Sequence, residues 1–355
     1  MIADVTTNLV RCGIAGLGRI GSMLEDDRLR EKPASHAGAI RANRDCLLVA
    51  GCDPREDRRS AFARRWGCRN VYPTLQEMLR AHELDILHVA SPAETHLDLL
   101  RTAAAGRLPL VICEKPLAPG LPAAREALRL CSQSGTVLMV NHERRYSRDY
   151  LRARSLIGAG ELGELVSITA RLYMGRNRPI TDLLWEDGGH LIDIIRFLTG
   201  AELEVQEAMG DLASRSAVAW VRFRSGPVSG ILELSNRFEA LVFELDLDLS
   251  RGRLRIGNGL FEAWRSEPSP YYEGFHSLKR ARVKAFRTTG YFSGMLADAV
   301  AVLRHPGRRP VSAGEDGLAA VEAIDRILRL AGLSRFGTGK AGIPRRGGPG
   351  AARRR

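Results

Sequence analysis

The feature that most constrains this chain is an apolar run, LVRCGIAG at residues 9–16, that passes directly into Gly16-Leu17-Gly18-Arg19-Ile20-Gly21. In a strand-to-helix turn with this spacing, Gly16 permits the tight bend. Gly18 lets the backbone approach a pyrophosphate, and Gly21 lets helix and strand pack closely. Free amides and the dipole at the start of the helix favour the anion. Arg19 and Ile20 lie inside the turn and join the three glycines as candidate cofactor contacts. Taken alone, the pattern also fits glycines that serve only the turn. The rest of the N-terminal half selects between the two. CLLVAGCD, ILHVAS, LVICE and TVLMVN are short apolar runs separated by helical stretches such as EDRRSAFARRWG, THLDLLRTAAAG and AAREALRLCSQSG. Strands alternating with helices imply right-handed crossovers and a parallel sheet, and continuous apolar strands imply a sheet covered on both faces.

After about residue 150 the period changes. In LVFELDLDLS, Leu241, Phe243, Leu245, Leu247 and Leu249 share one face, and Val242, Glu244, Asp246 and Asp248 the other. LVSITARLYMG, AVAWVRFRSG and VSGILELSNRF alternate in the same way, so an antiparallel sheet with one face on a core is expected. Two helical patterns follow, FSGMLADAVAVLRH and AGEDGLAAVEAIDRILRLAG, which should close the structure or pack back on the first half. The chain's 355 residues exceed one ordinary core. The predicted class is therefore α/β, a doubly wound parallel Rossmann domain at 8–142 followed by an α+β substrate and oligomerisation domain at 143–333.

Residues 334–355 hold six Arg, one Lys and no acid. They carry +7 of the net +12, leaving an unremarkable +5 on the body. Gly, Pro and Arg dominate this segment, so it is expected to be a disordered basic tail. Weak anion binding or simple solvation both fit it, and no nucleic-acid motif occurs in the body. Neither a membrane-length apolar run nor a secretory start is visible, so a cytoplasmic protein that meets no membrane is expected. The six cysteines, at 12, 46, 52, 68, 113 and 131, form no C-x-x-C pair and read as reduced thiols.

The second strand ends in Gly51-Cys52-Asp53-Pro54. A carboxylate there can bond a ribose 2′-hydroxyl, or cap the following helix, or both. Asp53 lies 32 residues past Gly21, beyond the usual ~20. The polar segment LEDDRLREKPASH explains the excess as an insertion after the first helix.

Several further motifs follow in order: Ser91-Pro92 then His96, Cys113-Glu114-Lys115-Pro116, Asn141 then Arg144-Arg145-Tyr146, GELGELVSI at 160–168, and Gly188-Gly189-His190-Leu191-Ile192-Asp193. Together with the glycine turn they resemble the glucose–fructose oxidoreductase / inositol dehydrogenase / MocA (Gfo/Idh/MocA) family over nearly all of residues 10–333. The resemblance implies a second domain whose large sheet is mostly antiparallel, and NAD or NADP as cofactor; the exposed face of that sheet makes a homodimer or homotetramer the expected assembly. The resemblance also implies a sugar, inositol or related polyol as substrate, and cofactor contacts at Ser91, Pro92, His96, Glu114, Lys115 and Asn141.

Lys115 ends a parallel strand on the edge where ligands bind, and an ammonium there can stabilise an alkoxide. Its peptide bond to Pro116 can be cis. His190 and Asp193 are three apart on one helical face, so an acid can hold an imidazole as base. Many family members carry Asp four residues before this His. Here that position is Glu186 and Asp187 follows it, so either carboxylate, or neither, completes the set. His96 and His142 fit structural and functional roles equally. Arg144, Arg145 and Tyr146 should bridge the two halves, with Arg145 a candidate substrate contact. Arg176 and Arg178 could meet an anionic substrate or form a solvated loop.

The expected activity is hydride transfer between a nicotinamide and a secondary alcohol or ketone, with NAD favoured because Asp53 would repel a 2′-phosphate. Two alternatives keep the fold: an NAD-dependent glycosidase, and a non-catalytic dinucleotide-binding regulator.

Overall fold

The computed structural model describes residues 9–175 and 178–333, so the basic tail and Arg176 lie outside the described residues. The N-terminal half forms a six-stranded sheet from β1 (Val10–Ala15), β2 (Cys46–Cys52), β3 (Val71–Tyr72), β4 (Ile86–Val89), β5 (Leu110–Cys113) and β6 (Val137–Val140). Its order is β3-β2-β1-β4-β5-β6 and every pairing is parallel. This is the doubly wound order, whose switch point falls between β1 and β4. Helices α1 (His36–Ala42), α2 (Glu56–Trp66), α3 (Leu75–Ala81), α4 (His96–Ala105) and α5 (Leu121–Ser134) connect the strands. Ile86, Leu87, Leu110, Val111, Ile112 and Cys113 are fully buried, as strands covered on both faces require.

The first helix departs from expectation. The segment beyond Gly21 is inserted within that helix, not after it. One turn forms after the glycines, with the amides of Ser22 and Met23 donating to the Gly18 carbonyl. The chain then leaves and returns at α1, where His36 N–H and Ala37 N–H donate to the carbonyls of Ile20 and Gly21 at 3.1 and 3.0 Å. The ladder is thus resumed across the splice, and a 14-residue excursion buds from the helix at its ligand end.

Beyond β6 come α6 (Arg148–Gly158), β7 (Leu165–Tyr173), α7 (Ile180–Leu183), a π-helical turn (Leu184–Gly188) and α8 (Gly189–Thr199). Seven strands then follow: β8 (Leu203–Met209), β9 (Val218–Ser225), β10 (Val228–Ser235), β11 (Val242–Leu249), β12 (Gly252–Gly257), β13 (Leu260–Pro268) and β14 (His276–Arg280). With β7 they make an eight-stranded sheet in the order β14-β13-β12-β11-β7-β10-β9-β8. It is antiparallel except for the β7–β10 pair. In β11, Phe243, Leu245, Leu247 and Leu249 are buried as the alternation predicts. Leu241 precedes the strand and is exposed. On the other face Asp246 is also buried, covered by Arg171 at 2.5 Å and Arg253 at 2.8 Å.

The last two helices, α9 (Tyr291–Arg304) and α10 (Gly314–Leu330), pack back on the first sheet. Met295 and Leu296 of α9 share a buried cluster with Ile14 and Ala37. Gly317 of α10 lies so close to Val140 that a Cβ would stand 2.5 Å from its Cγ2. No helix among the described residues is long and apolar enough to cross a membrane. The six cysteines form no disulfide.

Candidate active site

The carboxyl ends of β1, β2, β4 and β5 open onto a cleft of about 810 Å³. Gly16, Gly18, Arg19, Ile20, Asp53, Ser91, Pro92, Glu114 and Lys115 all line it. Gly16 has φ +98°, and a Cβ there would stand 2.7 Å from the Ala90 backbone. A Cβ on Gly21, behind the cleft, would stand 2.1 Å from the Gly16 carbonyl oxygen. The three glycines therefore divide their work between conformation, open space and close packing. Asp53 is buried and ties the turn together. Its Oδ2 accepts from the Leu17 amide and its Oδ1 from the Arg55 amide, each at 3.0 Å. It steadies the entry to α2 and the glycine turn while lining the cleft. Arg58 stands 3.5 Å from Asp53 and brings a cation to the same wall.

Two expected cofactor contacts sit behind the cleft instead of on it. His96 is fully buried. Its Nε2 lies 2.9 Å from the Ser91 carbonyl and its Nδ1 3.1 Å from that of Pro116. It staples the β4 and β5 loops, and the Lys115–Pro116 peptide between them is cis. Asn141 donates to Glu114 Oε1 at 2.6 Å, and its own Oδ1 is buried without a partner. The same Glu114 oxygen is 2.9 Å from His36 Nε2. An ionised carboxylate only accepts, so His36 Nε2 carries a proton toward Glu114, and a single proton bridges the Nδ1 atoms of His36 and His88, 2.9 Å apart. Burial alone pushes Glu114 up, but His36, Asn141 and Lys115 outweigh it and hold the carboxyl below its ordinary range. Burial, then the neighbouring His36, pushes His88 far down.

A second cavity, of about 360 Å³, adjoins His190 and Asp187. The π-helical turn sets up their geometry. It adds a residue to the helical turn just before α8, and such bulges recur at functional sites. The Glu186 carboxylate turns outward to Arg178 at 2.5 Å, while Asp187 approaches Lys115 Nζ at 3.9 Å. Lys115 also donates to the main-chain carbonyl of Glu186. Asp187, not the Glu186 side chain, is thus the carboxylate that meets the lysine. Arg178 is engaged by Glu186.

His190 is buried and its Nδ1 has no partner. Burial, reinforced by the charges of Lys115, Arg144 and His142, holds its imidazole well below the ordinary value, in the neutral form. His142, 6.2 Å away ring to ring, is likewise pushed down by burial, with Asp193 opposing.

Asp193 does not orient His190. Its carboxylate is taken by Arg145, with Nε at 2.9 Å and Nη2 at 2.7 Å. Arg145 Nη1 also bonds the Val311 carbonyl at 2.7 Å and Asp316 at 3.0 Å. Arg145 is therefore a buried tie between α8 and the α10 entry, and a substrate contact is not where its guanidinium points. Tyr146 completes the tie through Asp298 at 3.1 Å.

Arg144, which the sequence grouped with this bridge, lines the cavity instead. Its guanidinium lies 3.5 Å from the Phe243 ring centroid and donates to Asn258 Oδ1 at 3.1 Å. His36 was missed altogether, because a histidine at a helix start signals nothing by itself. Its only cue was the preceding Ser35 cap. Tyr291, also on the cavity wall, could not be placed from sequence, since only tertiary packing brings α9 here.

Residues 10–142 match the family described as "Oxidoreductase family, NAD-binding Rossmann fold". Among curated proteins, the chain is 29% identical over 247 residues to inositol 2-dehydrogenase of Rhizobium meliloti, covering 64% of this chain and 69% of that one. It is 27% identical over 247 residues to myo-inositol 2-dehydrogenase of Thermotoga maritima, with the same coverage. Among solved structures, a putative myo-inositol dehydrogenase of Sinorhizobium meliloti superposes with TM-score 0.72 at 23% identity, covering 91% of this chain and 97% of that one. A dehydrogenase of Chromobacterium violaceum superposes with TM-score 0.74 at 18% identity, covering 90% and 94%. At these identities the superpositions speak for the fold.

The Arg145–Asp193 pair generates a prediction that separates support from chemistry. Asp193→Asn leaves a buried guanidinium short of a counter-charge. It should cost about 3 kcal/mol in urea unfolding, the low end for a broken buried pair because Asp316 still holds Arg145. The folded fraction should keep kcat within a few-fold. A stable Asp193→Asn protein with turnover down by more than ~10²-fold, the scale of a lost acid–base group, would return Asp193 to the chemistry.

Proposed function

We propose that this chain, whose residues 10–142 match that family and whose similar curated proteins include inositol dehydrogenases, is a member of the Gfo/Idh/MocA oxidoreductase family and a nicotinamide-dependent dehydrogenase acting on a secondary alcohol of a sugar, inositol or related polyol. The observation that carries the reading is the Lys115–Asp187 contact. It joins the wall of the nucleotide cleft to the wall of the cavity holding His190. Residues 8–142 hold the nucleotide and 143–333 supply most of the substrate cavity.

The cleft suits a dinucleotide. It has a turn that only glycine can make at Gly16, an open Gly18 and a buried carboxylate at Asp53. Bound there, a nicotinamide supplies the hydride acceptor. The chain's own groups do the rest. Neutral His190 takes the hydroxyl proton. Lys115, fixed by the Glu186 carbonyl and Asp187, stabilises the oxyanion as it forms. Glu114, kept ionised by His36 and Asn141, fixes the main chain at Lys115 through that residue's amide at 3.3 Å. The convergence of Lys115, Asp187 and His190 favours catalysis over a regulator. Accumulation of reduced cofactor distinguishes a dehydrogenase from a glycosidase of this fold.

Lys115→Ala and His190→Ala should each lower kcat by ~10²–10⁴, the contribution of a positioned acid or base. Cofactor affinity should stay within several-fold, read by fluorescence titration. Because His190 must be neutral to act and is held below the ordinary imidazole value, the acid limb of the oxidation rate should fall below about pH 6.5. Unchanged turnover in either variant removes that residue from the mechanism.

NAD is the proposed cofactor, because the buried Asp53 disfavours a 2′-phosphate. NAD should bind more tightly than NADP, and Asp53→Ala should erode the preference. Tighter NADP binding, indifferent to that change, would reverse the assignment.

Self-association is proposed through the outer face of the eight-stranded sheet, where Val166, Met209, Trp220 and Ile231 are exposed. Sedimentation should show a dimer or tetramer, and Trp220→Glu with Ile231→Glu should dissociate it. A monomer at ~10 μM, where a micromolar interface would be assembled, would contradict this.

A further inference from the structure

The excursion between Gly21 and His36 touches both cavities. Leu24 lines the nucleotide cleft, while Arg30, Glu31, Pro33 and Ala34 line the cavity of His190. The segment is held by its own bonds. Lys32 Nζ donates to the Asp27 carbonyl at 2.7 Å, and the Ala34 amide donates to Glu25 at 2.7 Å. Trp66 Nε1 donates to Ser22 Oγ at 2.8 Å and anchors its base to α2.

Its outer end is latched across the cavity. Glu31 accepts from Thr289 N at 2.5 Å, Thr289 Oγ1 at 2.8 Å and Gly290 N at 3.0 Å. These amides open α9, a 14-residue helix with no acid in its own first turn. The carboxylate therefore meets both unfilled donors and the positive end of the dipole. Tyr291, on the far side of the latch, lines the same cavity. Closed in this way, the cavity holds about 360 Å³, the small end of the ~300–1,000 Å³ typical of small-molecule sites.

We propose that residues 22–35 are a specificity strap, with Glu31 as its latch, that restricts the active site to a free single-ring polyol and excludes rings carrying a glycosidic substituent. The inference rests on the dehydrogenase reading above. Glu31 is a positioning residue. Its carboxylate is occupied by Thr289 and Gly290, and it acts by holding the wall formed by Arg30, Pro33 and Ala34.

The test compares wild type, Glu31→Gln and Glu31→Ala with NAD, using myo-inositol, glucose, methyl glucoside and p-nitrophenyl glucoside as substrates. Hydrogen exchange is followed in peptides spanning residues 286–293. In Glu31→Ala, KM for the free rings should rise roughly tenfold with kcat less affected. The preference for free rings over glycosides in kcat/KM should shrink by about tenfold, the scale at which fit alone discriminates. Exchange at 289–290 should accelerate. Glu31→Gln, which keeps one acceptor oxygen, should fall between. An unchanged substrate ratio, or unchanged exchange at 289–290, overturns the strap. A wild type that turns over neither class overturns the dehydrogenase reading instead, and the exchange result then decides the latch on its own.

Discussion

The long strands of the first sheet are all parallel, so their carboxyl ends must share one edge, and everything the site contains hangs from that geometry. Right-handed crossovers leave no other arrangement for a strand–helix alternation of this kind. Gly16 follows β1, Asp53 follows β2, Ser91 follows β4, Lys115 follows β5 and Asn141 follows β6. Residues 125 positions apart in sequence are thereby brought to one line. The switch between β1 and β4 opens the crevice, and the Leu17 amide bonded to Asp53 holds the loops after β1 and β2 together on one side of it. The second half meets this edge through the π-helical turn before α8, which delivers Asp187 to Lys115, and through the start of α9, which Glu31 holds.

Burial then determines what each ionisable group can do. The site packs three cations, Lys115, Arg144 and Arg145, around two histidines, His142 and His190. Desolvation and that positive field act in the same direction on His190, so its neutral form is the resting form. Carboxylates are distributed with equal economy. Asp193 and Asp316 neutralise Arg145, Asp187 faces Lys115, and Glu114 is held ionised against its burial by His36, Asn141 and the charge of Lys115. Arg144 has no carboxylate within 4 Å among the described residues; a stacked Phe243 and two neutral oxygens surround it. Structural and chemical roles are thus assigned by partner: Arg145 is spent on a tie, and its neighbour Arg144 faces the cavity.

Periodicity made the architecture legible. The continuous apolar runs ending at Ala15, Cys52, Val89, Cys113 and Val140 could only be doubly covered strands, and the period-two face of β11 could only be half-covered. The glycine turn was legible because it follows a strand and opens a strand–helix alternation, whereas Lys115 was singled out only by the resemblance, since its position alone fits a solvated strand-end lysine equally well. The misreadings share another cause. Spacing of three on a helix placed Asp193 beside His190, but the Arg145 guanidinium, from the single helical turn Glu143–Tyr146, reached it first. His96 carried a functional residue type in a functional neighbourhood, yet the carbonyls of Ser91 and Pro116 claimed both its nitrogens. Which partner wins a buried polar group is a tertiary question, and one-dimensional spacing does not hold the answer. The π-helical turn is invisible for the same reason, since no residue type marks the widened turn from which Glu186 faces Arg178 and Asp187 faces Lys115.

The spliced helix shows how a nucleotide-binding edge can be diversified at low energetic cost. An insertion in the middle of a helix usually breaks several consecutive hydrogen bonds. Here the ladder closes over it, because His36 and Ala37 donate to the carbonyls that the displaced residues would have used. The remaining cost is closure of a short loop, which grows only slowly with length, and the internal bonds of Glu25 and Lys32 offset it. Position matters more than length. At the amino end of α1 the excursion emerges on the ligand edge of the sheet, where it can reach α9 without crossing the glycine turn. The same residues added at the carboxyl end of α1, near Asn43, would emerge at the opposite edge of the sheet and touch neither cavity.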